Sequence, residues 1–191
     1  MPSVSTYSAA VIAGGKSKRM GRDKGLLSVP GTDELLWQRQ LRVLTELEPQ
    51  ELFWSGPERQ GMPGNVSVIA DAVPDAGPLA GIAACLDDMR SDLLIVLAVD
   101  LPQMTSIYLA GVLAQCSTQY GTVPRHDNFY EPLAAVYPKS LQALAGEHLH
   151  EKRYALQDFV IAGIRENLLQ SFEVNPDDAI LFKNLNRPED L

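Results

Sequence analysis

The residues most able to do chemistry lie in one stretch near the N-terminus, Ala10-Val11-Ile12-Ala13-Gly14-Gly15-Lys16-Ser17-Lys18-Arg19-Met20-Gly21-Arg22-Asp23-Lys24. An apolar run, Ala9 to Ile12, reads as a buried strand that empties into a loop holding three glycines and five cationic side chains. Glycines let the backbone approach a ligand closely and turn its N–H groups inward, which suits a polyphosphate. Lys16, Lys18, Arg19, Arg22 and Lys24 surround that concavity with positive charge, on a chain whose net charge is −8. A basic loop on an acidic protein predicts a small anionic ligand rather than a long nucleic acid. Two familiar phosphate loops are excluded. Gly15-Lys16-Ser17 imitates the end of a Walker A motif, but the glycine that should open it falls on Ala10. The dinucleotide fingerprint G-x-G-x-x-G fails because Gly14 and Gly15 are adjacent and Gly21 is too distant. The competing reading is a glycine-rich surface turn with solvated lysines, and a second site further along the chain argues against it.

That second site is Asp100, which follows the apolar run Leu93 to Val99 and precedes Leu101-Pro102. A carboxylate at the mouth of a sheet, opposite a cationic loop, is well placed to hold Mg²⁺, which takes one or two protein carboxylates and completes its shell with water and phosphate oxygens. The alternative, an aspartate capping the next helix, is disfavoured because Thr105 or Ser106 already serves as N-cap. Asp71 ends the run Val68-Ile69 in the same way and reads equally as a turn aspartate. Gly77-Pro78-Leu79-Ala80-Gly81 opens a helix whose free N–H groups can meet a ligand, with Pro78 in the first turn. Helix–sheet packing explains Gly81 as well. His126, His148 and His150 form no cluster and read as surface residues, and no serine has a nucleophile-elbow setting. Nothing in the chain points to covalent catalysis.

These residues need elements to position them. Strand-like runs alternate with helical patterns: strands over 7–12, 51–54, 66–69 and 93–99, a helix begun near Thr32-Asp33 and stopped by Pro49, and another after the turn 74–78. Strands separated by helices of this length predict right-handed crossovers and a parallel sheet, whose ligands bind outside the carboxyl ends of the strands. The glycine loop, Asp71 and Asp100 all fall at such ends. Further on, a strand is predicted over 133–137, helices over 139–149 and 154–161, and a strand over 168–174. The fold class is α/β, in one domain over residues 1–191.

Composition is consistent with this reading. Hydrophobic residues at 46% and charged residues at 21% describe an ordinary globular chain, and the acidic balance argues against nucleic acid as a partner. No apolar stretch reaches the roughly 18 residues that span a bilayer, so no membrane partner is expected. Met1 to Thr6 lacks the pattern of a signal peptide, and Cys85 and Cys116 are isolated thiols suited to a reducing compartment. A cytoplasmic location is expected.

The pieces together resemble the molybdenum cofactor guanylyltransferases, within the nucleotidyltransferase superfamily. The resemblance covers nearly the whole chain. It rests on Ile12-Ala13-Gly14-Gly15, Arg19-Met20-Gly21, Asp23-Lys24-Gly25-Leu26-Leu27, Gly77-Pro78-Leu79-Ala80-Gly81, Asp100-Leu101-Pro102, Glu131-Pro132-Leu133 and the closing Asn184-Leu185-Asn186-Arg187-Pro188-Glu189-Asp190-Leu191. The family's fold, a Rossmann-like three-layer α/β/α sandwich with a mostly parallel sheet, agrees with the sheet derived above. The resemblance implies transfer of GMP from GTP to molybdopterin, with or without molybdenum, giving molybdopterin guanine dinucleotide and pyrophosphate. Ile12, Ala13, Gly14, Gly15, Lys24, Asp71 and Asp100 would serve GTP, with Asp100 as the Mg²⁺ ligand and Arg19, Lys24 and Asp100 as the catalytic set. Ser55 stands where an asparagine often lies near the nucleotide. Gly21, Gly77, Gly81, Arg153, Asn184 and Asn186 match the pterin side. A cytidylyltransferase of the same superfamily and a nucleotide-binding module without turnover are the rival readings. Transient contact with other cofactor-biosynthesis or acceptor proteins is a further expectation.

Overall fold

A computed structural model describes residues 5–13, 24–70, 73 and 75–185 of the chain. β1 (Tyr7–Ile12) lies between β2 (Leu52–Ser55) and β4 (Leu93–Ala98), and β3 (Val66–Ile69) extends the sheet beyond β2, all four strands parallel. On the other side of β4 come β7 (Ala134–Pro138), antiparallel to it, and β5 (Gly121–His126). β5 also pairs with the short β6 (Phe129–Tyr130) and with the parallel β8 (Leu169–Glu173). The order along the sheet is therefore β3-β2-β1-β4-β7-β5, with β6 and β8 attached to β5.

β4 is central because every one of its side chains is apolar and buried. Leu93, Ile95 and Leu97 face α1 (Leu36–Thr45), α3 (Ser106–Leu113) and the 3₁₀ segment Pro176–Phe182. Leu94 and Val96 face α2 (Pro78–Asp88), α4 (Gln142–His150) and α5 (Leu156–Arg165). A strand buried on both faces reads as a continuous apolar run, which is why it was legible. Helices on both sides of a largely parallel sheet make the three-layer α/β/α sandwich that the sequence predicts. Among the described residues no helix is long and apolar enough to cross a membrane.

The parallel strands bring their carboxyl ends to one edge, and backbone bonds tie those ends together. Ala13 N–H donates to the Ser55 carbonyl at 2.8 Å, and Val99 N–H to the Ile12 carbonyl at 3.1 Å. The N-termini of α1, α2 and α3 come to the same edge, since each helix runs back against the strand before it.

Four local differences from the sequence reading have physical reasons. α1 starts at Leu36 rather than near Thr32, because Thr32 closes a turn of its own: its hydroxyl donates to the Val29 carbonyl and accepts from Glu34 N–H. The helix predicted over 139–149 is a 3₁₀ turn, Lys139–Leu141, continued by α4. The β5–β6 hairpin was not foreseen. Pro124 sits inside its first strand, and Asp127 and Asn128 turn the chain at φ of 48° and 71°. His148 is not a surface residue: it is fully buried on α4, packed edge-on against Phe159 with ring centroids 5.6 Å apart.

Candidate active site

Lys24 opens a 3₁₀ turn, Lys24–Leu26, at the edge where β1 and β4 end. Its Nζ donates to Asp100 Oδ2 at 2.7 Å, and each side chain keeps 20% exposure. The two residues that the sequence assigned to phosphate and metal therefore meet directly. Because water still reaches the pair, opening it to admit a phosphate costs far less than breaking a fully buried one.

Asp100 sits on a loop held by its backbone from two elements, α1 and the C-terminal segment. On α1, Gln40 is fully buried and donates from Nε2 to the Leu101 carbonyl at 2.7 Å and, more weakly, to that of Val99 at 3.5 Å. Its neighbour Arg39 donates from Nε to the Pro102 carbonyl at 2.5 Å and from Nη2 to that of Met104 at 3.2 Å. From the C-terminal segment, Leu185 N–H donates to the carbonyl of Asp100 itself at 3.0 Å. Four carbonyls flanking Asp100 thus answer to two consecutive side chains of α1. Replacing Gln40 by Leu keeps volume but leaves the Leu101 carbonyl with only the longer bond from Met104 N–H, at 3.2 Å. We expect Gln40→Leu to weaken Mg²⁺ dependence of turnover by about tenfold, in the range found when the outer supports of a metal ligand are removed. A Mg²⁺ titration of activity beside a thermal melt checks it; an unchanged Mg²⁺ midpoint contradicts the bracing role.

The donor set fits a hard cation that shares its coordination with a substrate. Asp100 supplies one partly exposed carboxylate, and among the described residues no three His, Cys, Asp or Glu side chains gather to cage a metal. One carboxylate completed by water and phosphate oxygens suits Mg²⁺, whereas a structural zinc site needs four protein ligands.

The other expected site residues are distributed unevenly. Ile12, Ala13 and Ser55 stand at the tied strand ends, with Ser55 fully buried. Gly14, Gly15, Arg19, Gly21, Asp71 and Asn186 lie outside the described residues. Gly77 precedes α2 at φ 67° and ψ −159°, a backbone that glycine adopts far more readily than any other residue, and a Cβ there would meet nothing within 4 Å. Gly81 is buried in the second turn of α2, as packing requires. Asn184 is exposed on the segment that Leu185 ties to Asp100, so this segment reaches the site.

Arg153 is placed differently. It follows α4, on the opposite layer from Asn184. Its Nε donates to Glu151 at 2.6 Å, Nη2 to Glu147 at 3.4 Å, and Nη1 meets His148 Nε2 at 3.1 Å. No hydrogen bond or ion pair joins it to Asp100 or Asn184 among the described residues. Sequence reasoning missed Arg39 and Gln40 as parts of the site. The available signal was Gln40 itself, a polar residue on the apolar stripe of α1.

Comparison with known proteins identifies the family. The family model described as the MobA-like NTP transferase domain matches residues 9–171. A protein of Opitutus terrae named probable molybdenum cofactor guanylyltransferase is 36% identical over 191 residues, covering 97% of this chain and 93% of its own. The molybdenum cofactor guanylyltransferase of Syntrophotalea carbinolica is 30% identical over 194 residues, covering 96% of this chain and 88% of its own. Among solved structures, molybdopterin-guanine dinucleotide biosynthesis protein A from Archaeoglobus fulgidus has the same fold, with a TM-score of 0.71 at 19% identity over 97% of this chain and 94% of that one. A family match spanning most of the sheet, on a chain whose Lys24 and Asp100 meet where the strands end, leads to one assignment: the chain belongs to the MobA-like family of nucleotidyltransferases.

Proposed function

We infer that the chain transfers GMP from GTP to the terminal phosphate of molybdopterin, forming molybdopterin guanine dinucleotide and pyrophosphate. The observation that carries this reading is the Lys24–Asp100 pair at the carboxyl edge of the sheet, in a chain of this family. The names of the relatives support guanine and molybdopterin over other nucleotide–acceptor pairs.

In this reaction an oxygen of the molybdopterin phosphate bonds to the α-phosphorus while the bond from that phosphorus to the α–β bridging oxygen breaks. Pyrophosphate leaves with the electron pair. A phosphate monoester is mostly ionised near neutral pH, its second pKa being about 6, so the chain needs no general base. Both reactants are anions, and the protein's task is to hold them together against repulsion. Lys24 exchanges its Asp100 partner for phosphate oxygens, and Arg19 meets charge that grows on the leaving pyrophosphate. Asp100, once Lys24 has turned to phosphate, would hold Mg²⁺, which would neutralise phosphate charge. Arg39 and Gln40 keep the Asp100 loop from shifting as its partner changes. Ile12, Ala13, Gly14, Gly15, Ser55 and Asp71 serve the nucleotide; Gly21, Gly77, Gly81, Arg153, Asn184 and Asn186 serve the pterin. Arg153 must leave its glutamates to reach a phosphate.

Pyrophosphate release with molybdopterin and Mg²⁺, measured with GTP, CTP, ATP and UTP in turn, tests the reading. GTP alone should support turnover at substrate concentrations near KM. A preference for CTP would transfer the chain to a cytidylyltransferase, and no release with any nucleotide would leave a binding module.

A further inference from the structure

The segment between β6 and β7 carries a carboxylate that the reaction above does not use. β8 occupies one edge of β5 from Gly121 to Arg125, so β7 and β6 share the other edge. There Thr122 faces Val136 and Arg125 faces Tyr130, so Val123 and Pro124 stand against five residues, 131–135. The surplus loops out as a bulge headed by Glu131-Pro132-Leu133. Bulges beside active sites commonly re-aim a side chain.

This bulge is fixed almost entirely by its backbone. Glu131 N–H donates to the Pro124 carbonyl at 2.8 Å, and its carbonyl accepts from Ala134 N–H at 3.2 Å. The buried Tyr137 hydroxyl donates to the Pro132 carbonyl at 2.7 Å, and Ala98 N–H to that of Leu133, also at 2.7 Å. On α5, Gln157 grips both backbone groups of Tyr130, at 3.1 Å and 2.8 Å. Yet the Glu131 carboxylate itself makes no hydrogen bond among the described residues. Tyr108, whose hydroxyl is buried and has no hydrogen-bond partner among the described residues, is held above the usual phenol range by burial first and then by the charges of Asp178 and Glu131. Glu131 is half-buried, and no group among the described residues supplies its carboxylate with a donor. Burial pushes the Glu131 carboxyl above the usual carboxylate range, with His126 pulling the other way. Such a group gains most from a ligand that supplies the missing donors.

Strand order indicates which ligand. The ends of β1 and β2 hold Ile12, Ala13 and Ser55, the nucleotide half, and lie on one side of β4. Glu131 lies on the other side, at the same edge, because Leu97 pairs with Ala134 and the two strands are antiparallel. We propose that Glu131 reads the amino-pyrimidinone edge of the pterin, accepting its 2-amino and N3 protons, and so determines specificity for the second substrate. This rests on the reading that the acceptor is a pterin. Guanine offers the same edge, and the placement beyond β4 assigns Glu131 to the pterin.

The test separates the two sources. 6-Hydroxymethylpterin monophosphate and its lumazine counterpart, in which an oxo group replaces the 2-amino group, are titrated against the full chain by fluorescence. GTP and ITP, which lacks the 2-amino group, form the second arm. The wild-type chain should prefer the pterin by about tenfold or more, as loss of a hydrogen bond to a charged group predicts. Glu131→Ala should bring that preference to within about twofold, by weakening the pterin, and leave the GTP:ITP ratio unchanged. If Glu131→Ala lowers the melting temperature by more than about 5 °C, Glu131→Gln supplies the readout, with a preference between those of wild type and no discrimination. An undiminished pterin preference in the variant overturns the inference, and a collapse of the GTP:ITP ratio instead assigns Glu131 to guanine and overturns it too. Failure of the underlying reading looks different: the wild-type chain binds neither pterin compound and transfers no GMP to molybdopterin.

Discussion

Asp100→Ala is expected to lower kcat by about a hundredfold or more, a loss of the size seen when one electrostatic contact to a reacting centre is removed, while the chain still folds. The loop is held through its carbonyls by Arg39, Gln40 and Leu185, none of which uses the Asp100 side chain. The Lys24 partnership adds a less obvious consequence. In the free protein the ammonium donates to Asp100 at 2.7 Å, so removing the carboxylate takes a competing negative charge away from the phosphates. Metal-free GTP should therefore bind Asp100→Ala at least as tightly as wild type, although turnover is lost. Asp100→Asn keeps the shape without the charge that a hard cation prefers and should be nearly as impaired. Titration of GTP in the presence of chelator, beside Mg²⁺-dependent kinetics, separates these effects. Near-wild-type kcat at limiting Mg²⁺ would remove Asp100 from the metal.

Lys24→Ala should damage both binding and rate. Its ammonium contacts phosphate in the ground state and the transition state alike, so KM for GTP should rise and kcat fall, with kcat/KM down by about ten- to a hundredfold for a charged hydrogen bond. The variant also leaves Asp100 without the cation beside it. Arg19→Ala, by contrast, should act chiefly on kcat, since charge on the departing pyrophosphate grows only in the transition state. Steady-state kinetics with GTP varied would show the difference. Equal effects confined to KM in both variants would contradict this division of labour.

What could be read from the sequence followed the range of the interactions involved. β1 and β4 were legible because burial on both faces demands continuous apolar runs, and Thr105 was legible as the cap of α3, where its hydroxyl accepts from Tyr108 N–H at 3.2 Å. Lys24 and Asp100 were each found from local pattern. Their direct pairing was not, because 76 residues separate them and only the β1–β4 register brings them together. Gln40 occupied an apolar stripe as an unexplained polar residue until the Leu101 carbonyl supplied its partner. The β5–β6 hairpin and the bulge after it escaped notice because a proline interrupts the strand and the surplus residues exist only relative to the neighbour's register. His148 was misjudged for a related reason. A histidine on a helix tells nothing of its burial until the packing of Phe159 and the carbonyl of Arg153 are known.

The central claim is that the chain moves GMP, and the fate of each phosphate tests it most directly. GTP labelled at the α-phosphorus and GTP labelled at the γ-phosphorus are incubated separately with the chain, Mg²⁺ and molybdopterin, and the products resolved. The account predicts α-label in a pterin-containing dinucleotide, γ-label only in pyrophosphate, in equal molar amounts, with both products formed at least about a hundredfold more slowly by Asp100→Ala. γ-Label appearing on the pterin, or as free phosphate with no labelled dinucleotide, would contradict it.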